Sequence, residues 1–328
     1  MRKPLYLLLA VGCFTATRAQ VYKQNDPLAH TYSIVARDSA TGEMGVAVQS
    51  HWFSVGTAVS WAEAGVGAVA TQSFTNKSFG IRGLALLRSG LTARKALDSL
   101  LATDSGREVR QVAIVDAKGN VAVHTGKACI DYAGHITGNQ FSVQANMMLT
   151  DKVPQAMATA FEKSTGQPLA DRMLLALDAA ERAGGDIRGR QSAAILVVPG
   201  RSLGEPWNER LVDLRVDDHA APLTELNRLY RVHTAYEHMN AGDLAVEKSD
   251  MQKAMQEYGA AMKMFPKNLE MQYWTAITLA NNKQLDKALP MLRSIFKQDA
   301  NWKELTRRLP KVNLLTVSAA ELKQILAL

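Results

Sequence analysis

The chain has 328 residues, 47% hydrophobic and 21% charged, with a formal net charge of +7. That apolar content is enough for two packed domains and too high for a disordered chain. The basic excess is partly terminal: without residues 1–19, which hold Arg2, Lys3 and Arg18, 35 basic face 31 acidic side chains, and +4 over the remainder argues against a nucleic-acid partner.

Residues 1–19 read as a secretory signal peptide, with Arg2 and Lys3, an apolar run from Leu5 to Val11, and Thr17 and Ala19 placed for cleavage before Gln20. The run is too short to span a bilayer. Export to the periplasm or the medium is the expectation. A lipoprotein site at Gly12-Cys13 is the weaker alternative, because Ala10 and bulky Phe14 suit it poorly. Cys129 is then the remaining cysteine, which excludes an intrachain disulfide and a cysteine-built metal site. Residues 20–30 form a leader ahead of the first strand.

Four short runs rich in Val, Ala, Ser and Thr, at 32–37, 44–50, 57–61 and 66–72, predict antiparallel hairpins. Turn residues separate them, as in Asp38-Ser39-Ala40-Thr41-Gly42 and Glu63-Ala64-Gly65. Helical spacing follows at 80–88, with Ile81, Leu84, Leu86 and Leu87, and again after Thr92, a candidate N-cap. Strands are expected at 110–115, 121–125 and 141–145, helices at 153–163 and 169–183 ending in Gly184-Gly185, and strands at 192–198 and 211–216. Small-residue runs such as GVAVQS and GVGAVATQ suit sheets buried on both faces. This order predicts an α+β domain over 31–221, a four-layer αββα sandwich with helices outside two packed antiparallel sheets.

Strand signals stop near Pro222, and 222–328 reads as an all-α domain opening with a helix over 223–239. An internal echo recurs at a spacing of 34: Lys253-Ala254 with Lys287-Ala288, Tyr258 with Leu292, Met262 with Phe296. That is the period of tetratricopeptide helix pairs, so a helical-repeat tail that docks a protein or envelope partner is expected. Pro290 falls inside the second copy, and an ordinary helical bundle is the alternative.

Chemistry centres on Thr31. If the bond after His30 is cut, the freed α-amine, titrating near ~8, sits beside the hydroxyl and can take its proton. One residue then supplies nucleophile and base. Other candidates are Arg37-Asp38, Ser50-His51, Asn146 as an oxyanion donor, and the run Arg188 to Ser192, in which Arg190 would clamp a substrate carboxylate. Asp217-Asp218-His219 is read as a helix cap rather than a metal cluster, because successive residues of an extended chain point to opposite faces. Nucleophile-elbow, phosphate-loop, dinucleotide and zinc-protease spacings are missing, so neither a cofactor nor a metal is expected.

The runs TYSIVARD, GVAVQSHWFSVG, SWAEAGVGAVATQSFTN, the Gly83 to Gly90 helix end, RQVAIVDAKGNVAVHTG, RGRQSAAILVV and DLRVDDH together resemble domain-of-unknown-function family 1028 over 31–230. The resemblance implies the N-terminal-nucleophile (Ntn) hydrolase superfamily, whose αββα layering is the order read above. It puts Thr31 at the nucleophile position, and it departs from the family in the eleven residues from Gln20 to His30 that precede Thr31 and in Ala145, where a glycine is usual before Asn146. The implied activity is hydrolysis of an amide or related acyl bond in a small molecule, peptide or cell-wall fragment. Thr31 and Asn146 would be catalytic, and Ser33, Arg37, Ser50 and Arg190 would line the substrate pocket. Self-cleavage or an external protease would remove the leader. Related enzymes often assemble, so a homo-oligomer is left open. This reading expects the Thr31 oxygen to face a cleft between the layers and the tether that precedes it not to be sealed beneath other elements; the alternative is an uncut, non-catalytic binding or scaffold protein.

Overall fold

A computed structural model describes residues 28–328; the expected signal peptide, the alternative at Cys13 and the leader up to Pro27 lie outside the described residues. The chain divides into two compact units, the first ending at Leu223 and the second running from Thr224 to Leu328.

The first unit opens with β1 (Leu28–Ala29), β2 (Thr31–Arg37) and β3 (Met44–Ser50). A strand was expected over 57–61, but that stretch splits into a helical turn, α1 (Gly56–Val59), and β4 (Ser60–Glu63). Ser54 explains the split: its N–H donates to Asp217 O at 2.9 Å and its hydroxyl to Asp217 Oδ1 at 2.7 Å. With Ser54 anchored 163 positions away in sequence, the N–H groups of Thr57 and Ala58 close onto Ser54 O and Val55 O. Tertiary contacts override the β propensity of Thr57 and Val59. There follow β5 (Gly67–Phe74), α2 (Ser78–Arg88), α3 (Ala93–Ala102), β6 (Arg110–Asp116), β7 (Val121–Thr125), β8 (Gly134–Gly138), β9 (Phe141–Ala145), α4 (Val153–Lys163), α5 (Leu169–Arg182), β10 (Ser192–Val198) and β11 (Val212–Val216).

Among the described residues these strands form two sheets whose pairings are all antiparallel. One has the order β1-β5-β6-β7 with β4 also on β5, and the other β11-β10-β3-β2-β9-β8. Their facing surfaces share a core in which Ala68, Ala70, Ala113 and Val115 meet Val46, Val48, Ala194 and Leu196, all buried. The small side chains let the sheets approach closely. On the outer face of the first sheet, α2 and α3 contribute Phe79, Leu84, Leu97 and Leu100 against Val69, Val112 and Ile114. Gly80 permits that packing, because a Cβ there would lie 2.2 Å from the Trp61 ring. Helices α4 and α5 cover the other sheet, with Phe161 against Phe141 at 4.7 Å and the Tyr32 hydroxyl donating to Glu181 Oε2 at 2.7 Å. Thr92 caps α3 as expected, its hydroxyl accepting from Lys95 N at 3.4 Å.

The second unit takes in most of α6 (Pro222–Glu247), then α7 (Met251–Met264), α8 (Leu269–Asn281), α9 (Leu285–Gln298), α10 (Asn301–Arg308) and α11 (Ala319–Leu326). The first helix runs past its expected end at 239 because Met239 and Ala245 continue its buried stripe against Ala254 and Tyr258. Helices α7 and α9 begin and end 34 residues apart, and their equivalent residues Ala254 and Ala288, and Tyr258 and Leu292, are fully buried. Asp250 and Asn268 cap α7 and α8 by accepting from Lys253 N at 3.0 Å and Met271 N at 3.2 Å.

Candidate active site

Strand β2 lies between β3 and β9, and Thr31 is paired directly with Ser50. Directly opposed residues of an antiparallel pair put their side chains on one face. On the other side of β2, Asn146 N–H donates to Thr31 O at 3.1 Å, extending the Tyr32–Ala145 register by one step. Thr31, Ser50 and Asn146, three of the expected site residues, therefore meet at one strand end.

The leader also ends there. Leu28 and Ala29 pair with Phe74 and Ser73 of the first sheet, so the chain crosses from one sheet to the other through His30. Its carbonyl oxygen accepts two hydrogen bonds, from Ser50 Oγ at 2.6 Å and from Arg188 Nη2 at 2.7 Å. Arg188 is held for this by Asp186, to which its Nε and Nη2 donate at 3.0 and 2.7 Å. The Asp186 side chain is fully buried and also accepts from His51 N at 3.2 Å. The donor facing His30 O is thus a charged group in a bidentate fork, geometrically fixed and stronger than a neutral donor.

Behind Thr31 lies a buried polar network. Gln72 Nε2 donates to Thr31 O at 3.2 Å and to Gln111 Oε1 at 2.7 Å, and the same Gln111 oxygen accepts from Asn146 Nδ2 at 2.8 Å. Ser33, one pleat further along β2, donates to Gln72 Oε1 and accepts from Gln144 Nε2, each at 2.6 Å. These five side chains are fully buried, and their mutual bonds offset a desolvation that would otherwise be costly. The three glutamines were not among the expected site residues. A long amide side chain within each of the strand runs VATQS, RQVAIV and FSVQA was the available signal.

The His30 ring lies edge-on to Phe74, with centroids 5.5 Å apart at 89°, and its Nδ1–H donates to Asn146 Oδ1 at 2.7 Å. Burial pushes the imidazole below its ordinary range; the Asn146 bond opposes this, Arg188 adds to it and Asp186 opposes it. The ring is accordingly neutral at pH 7.

Four expectations need correction. Thr31 faces no open cleft in this chain: it is fully buried, His30 is 2% exposed, and the Thr31 hydroxyl donates to the leader's own Ala29 O at 3.4 Å. Arg37 stands at the far end of β2, about 20 Å away by strand rise, where it donates to Gln140 Oε1 and lines a separate cavity of about 300 Å3 with Asp38 and Arg172. Arg190 turns outward to Glu181, and it is Arg188 that reaches the His30 carbonyl. Asn146 does not reach the His30 carbonyl; its amide nitrogen goes to Gln111 and Thr31 O. Asp217, Asp218 and His219 accept from three different groups, Ser54 Oγ, Gln191 Nε2 and Ala221 N. Among the described residues no group of three His, Cys, Asp or Glu side chains is arranged to hold a metal.

Residues 31–226 match the family of unknown function DUF1028, and residues 245–309 match a tetratricopeptide repeat. The chain belongs to DUF1028. The crystal structure of protein SPO2555 from Silicibacter pomeroyi, a DUF1028 protein, is similar at 34% identity and a TM-score of 0.57, covering 63% of this chain and 87% of that one. No curated protein matches. The tail's repeat is of the kind that mediates protein–protein interaction.

Proposed function

We propose that this chain is an exported Ntn-type hydrolase that cleaves an amide or related acyl bond with Thr31 as nucleophile, once the His30–Thr31 bond is cut. The two sheets with their outer helix pairs are then the αββα layering of that superfamily, and residues 1–19 its export signal. One observation carries the reading: the carbonyl oxygen of the bond to be cut is the one gripped by Ser50 and Arg188. Two fixed donors on a carbonyl oxygen are what stabilise the charge that develops when a nucleophile adds to its carbon.

What covers Thr31 is the segment that would leave. A bond whose flanking residues are 2% and 0% exposed gives an external protease nothing to grip, which favours cleavage from within. Thr31 Oγ adds to the His30 carbonyl carbon, the hydroxyl proton passes to the Thr31 nitrogen, and the C–N bond breaks. This leaves an ester to Oγ and a free α-amine. Water then hydrolyses the ester, releasing the leader as a carboxylic acid. In the cut chain the amine becomes the base for Oγ, and Ser50 and Arg188 serve the acyl group of substrate. Asn146 and Gln72 hold Thr31 O and so position the nucleophile. The tail recruits a protein or envelope partner to the enzyme.

Intact mass and N-terminal sequencing of the exported protein test this. A chain beginning at Thr31, and a Thr31→Ala chain that stays uncut, are expected; an uncut wild-type chain refutes the proposal. The strand pairing of Leu28 and Ala29 with β5 favours a second reading, in which the leader stays and the chain is a non-catalytic binding module. The same experiment separates the two.

A further inference from the structure

In the uncut chain the occupant of the site is the chain itself, and the contacts that hold its last residues are available to a substrate's acyl half. Resting on the hydrolase reading above, we infer that the site takes an extended peptidyl acyl group whose last residue carries a planar, uncharged N–H donor, histidine above all, preceded by a small residue.

The polarity of the pocket follows from a chain of hydrogen bonds with a single consistent direction. Ala145 O and Gly134 O can only accept, and Gln111 Nε2 faces them at 2.9 and 3.2 Å. Gln111 therefore presents Oε1 to Asn146, which must answer with Nδ2, at 2.8 Å. Asn146 is left with Oδ1 toward the pocket, 2.7 Å from His30 Nδ1, and this oxygen can only accept. An N–H group is satisfied there, a carboxylate is repelled, and an aliphatic side chain strands a buried acceptor. The ring of Phe74, at right angles to the His30 ring, offers an edge-on aromatic contact that suits a flat group.

Upstream of His30 the recognition is of backbone. Ala29 and Leu28 pair with Ser73 and Phe74, so departure of the leader frees an edge of β5 to which an incoming peptide can add as a strand. Ala29 is fully buried within the core between the sheets, among Val48 and its neighbours, so a larger side chain at that place has no room. The leader's own end, Leu28-Ala29-His30, is the sequence these contacts describe.

The test uses the chain shortened to begin Met-Thr31, from which the initiator Met is removed, with two measurements. Calorimetric titration with the peptide Asp-Pro-Leu-Ala-His and its His-to-Ala and His-to-Glu forms reads the pocket without turnover; the histidine peptide is expected to bind about tenfold tighter than the alanine form, the worth of one well-made hydrogen bond, and the glutamate form weakest. Hydrolysis of acetyl-Leu-Ala-His coumarylamide and its alanine and glutamate counterparts, with labelling of Thr31 by a β-lactone, reads the enzyme. Equal binding and equal turnover across each set, with Thr31 labelled, overturns this inference and leaves the hydrolase standing. Selective binding with Thr31 unlabelled and no turnover keeps the pocket and sinks the hydrolase. Should the shortened chain fail to fold, the cleavage rates of full-length His30→Ala and His30→Glu chains read the same pocket: a fall of about tenfold or more supports it, and wild-type rates refute it.

Discussion

Replacing Ser50 by Ala removes one oxygen atom from a fully buried position and with it one of the two donors to the His30 carbonyl. Loss of a single oxyanion donor typically lowers a rate by about 10²–10³-fold. The ground-state carbonyl already accepts the Ser50 bond at 2.6 Å, so only its strengthening as charge develops is lost, and the lower figure, about 10²-fold, applies. Folding should suffer little: Arg188 remains on the same oxygen, so no acceptor is stranded and the cost is about 1 kcal/mol. The assay is the cleaved fraction by intact mass against time after refolding, with a thermal melt as the control for stability. Cleavage of Ser50→Ala at the wild-type rate, with an unchanged melt, would refute the assignment of the His30 carbonyl as the reacting group.

The other expectations concern residues whose placement the structure distinguishes. Arg190→Ala should change cleavage and turnover by less than about threefold, because its ion pair with Glu181 is half exposed and worth ~1 kcal/mol or less; Arg37→Ala should leave the cleavage rate unchanged, and a loss comparable to that of Ser50→Ala in either variant contradicts the site. The depressed pKa of His30 makes the uncut chain pH-sensitive in a defined direction: its contribution is present above the unfolded value near ~6.5 and is lost as pH falls through the lower folded value, since protonation puts a buried cation beside Arg188. Melting temperatures of uncut Thr31→Ala protein between pH 7 and 5 should therefore fall more steeply than those of the Thr31→Ala/His30→Gln double variant. In the tail, Pro290 is exposed and lies inside α9, where it cannot donate to the preceding turn, so Pro290→Ala should stabilise that unit by roughly 1–3 kcal/mol in denaturant titrations; a destabilised tail would show that the proline instead sets the helix geometry.

Much of the fold was legible along the chain. The strands Met44–Ser50, Val121–Thr125, Phe141–Ala145 and Ser192–Val198 and the helix Val153–Lys163 occupy the expected positions, because their local residue patterns, short runs of small and apolar residues for the strands and helical spacing for the helix, match the way they are buried. The offset of 34 between α7 and α9 was readable for the same reason. Strand β8 was not, because GHITG has too little apolar content to announce itself and is ordered by pairing along β9. Thr31, Ser50 and Asn146 could be singled out by residue type, and the register brings them together. The choice of Arg188 over Arg190 could not be read: both lie in one short loop before β10, and what separates them is that Asp186 holds Arg188 while Glu181 draws Arg190 outward.

Local periodicity and turn chemistry thus determined the elements, their order and the two-part organisation, because those depend on side chains a few residues apart. Only the tertiary structure decided that Leu28 and Ala29 pair with the first sheet and that His30 O meets Ser50 and Arg188. It likewise decided that Asn146 points an acceptor at His30. Those contacts join groups 20 to 158 residues apart, and their direction is set by which buried donors and acceptors remain unsatisfied once the sheets have closed.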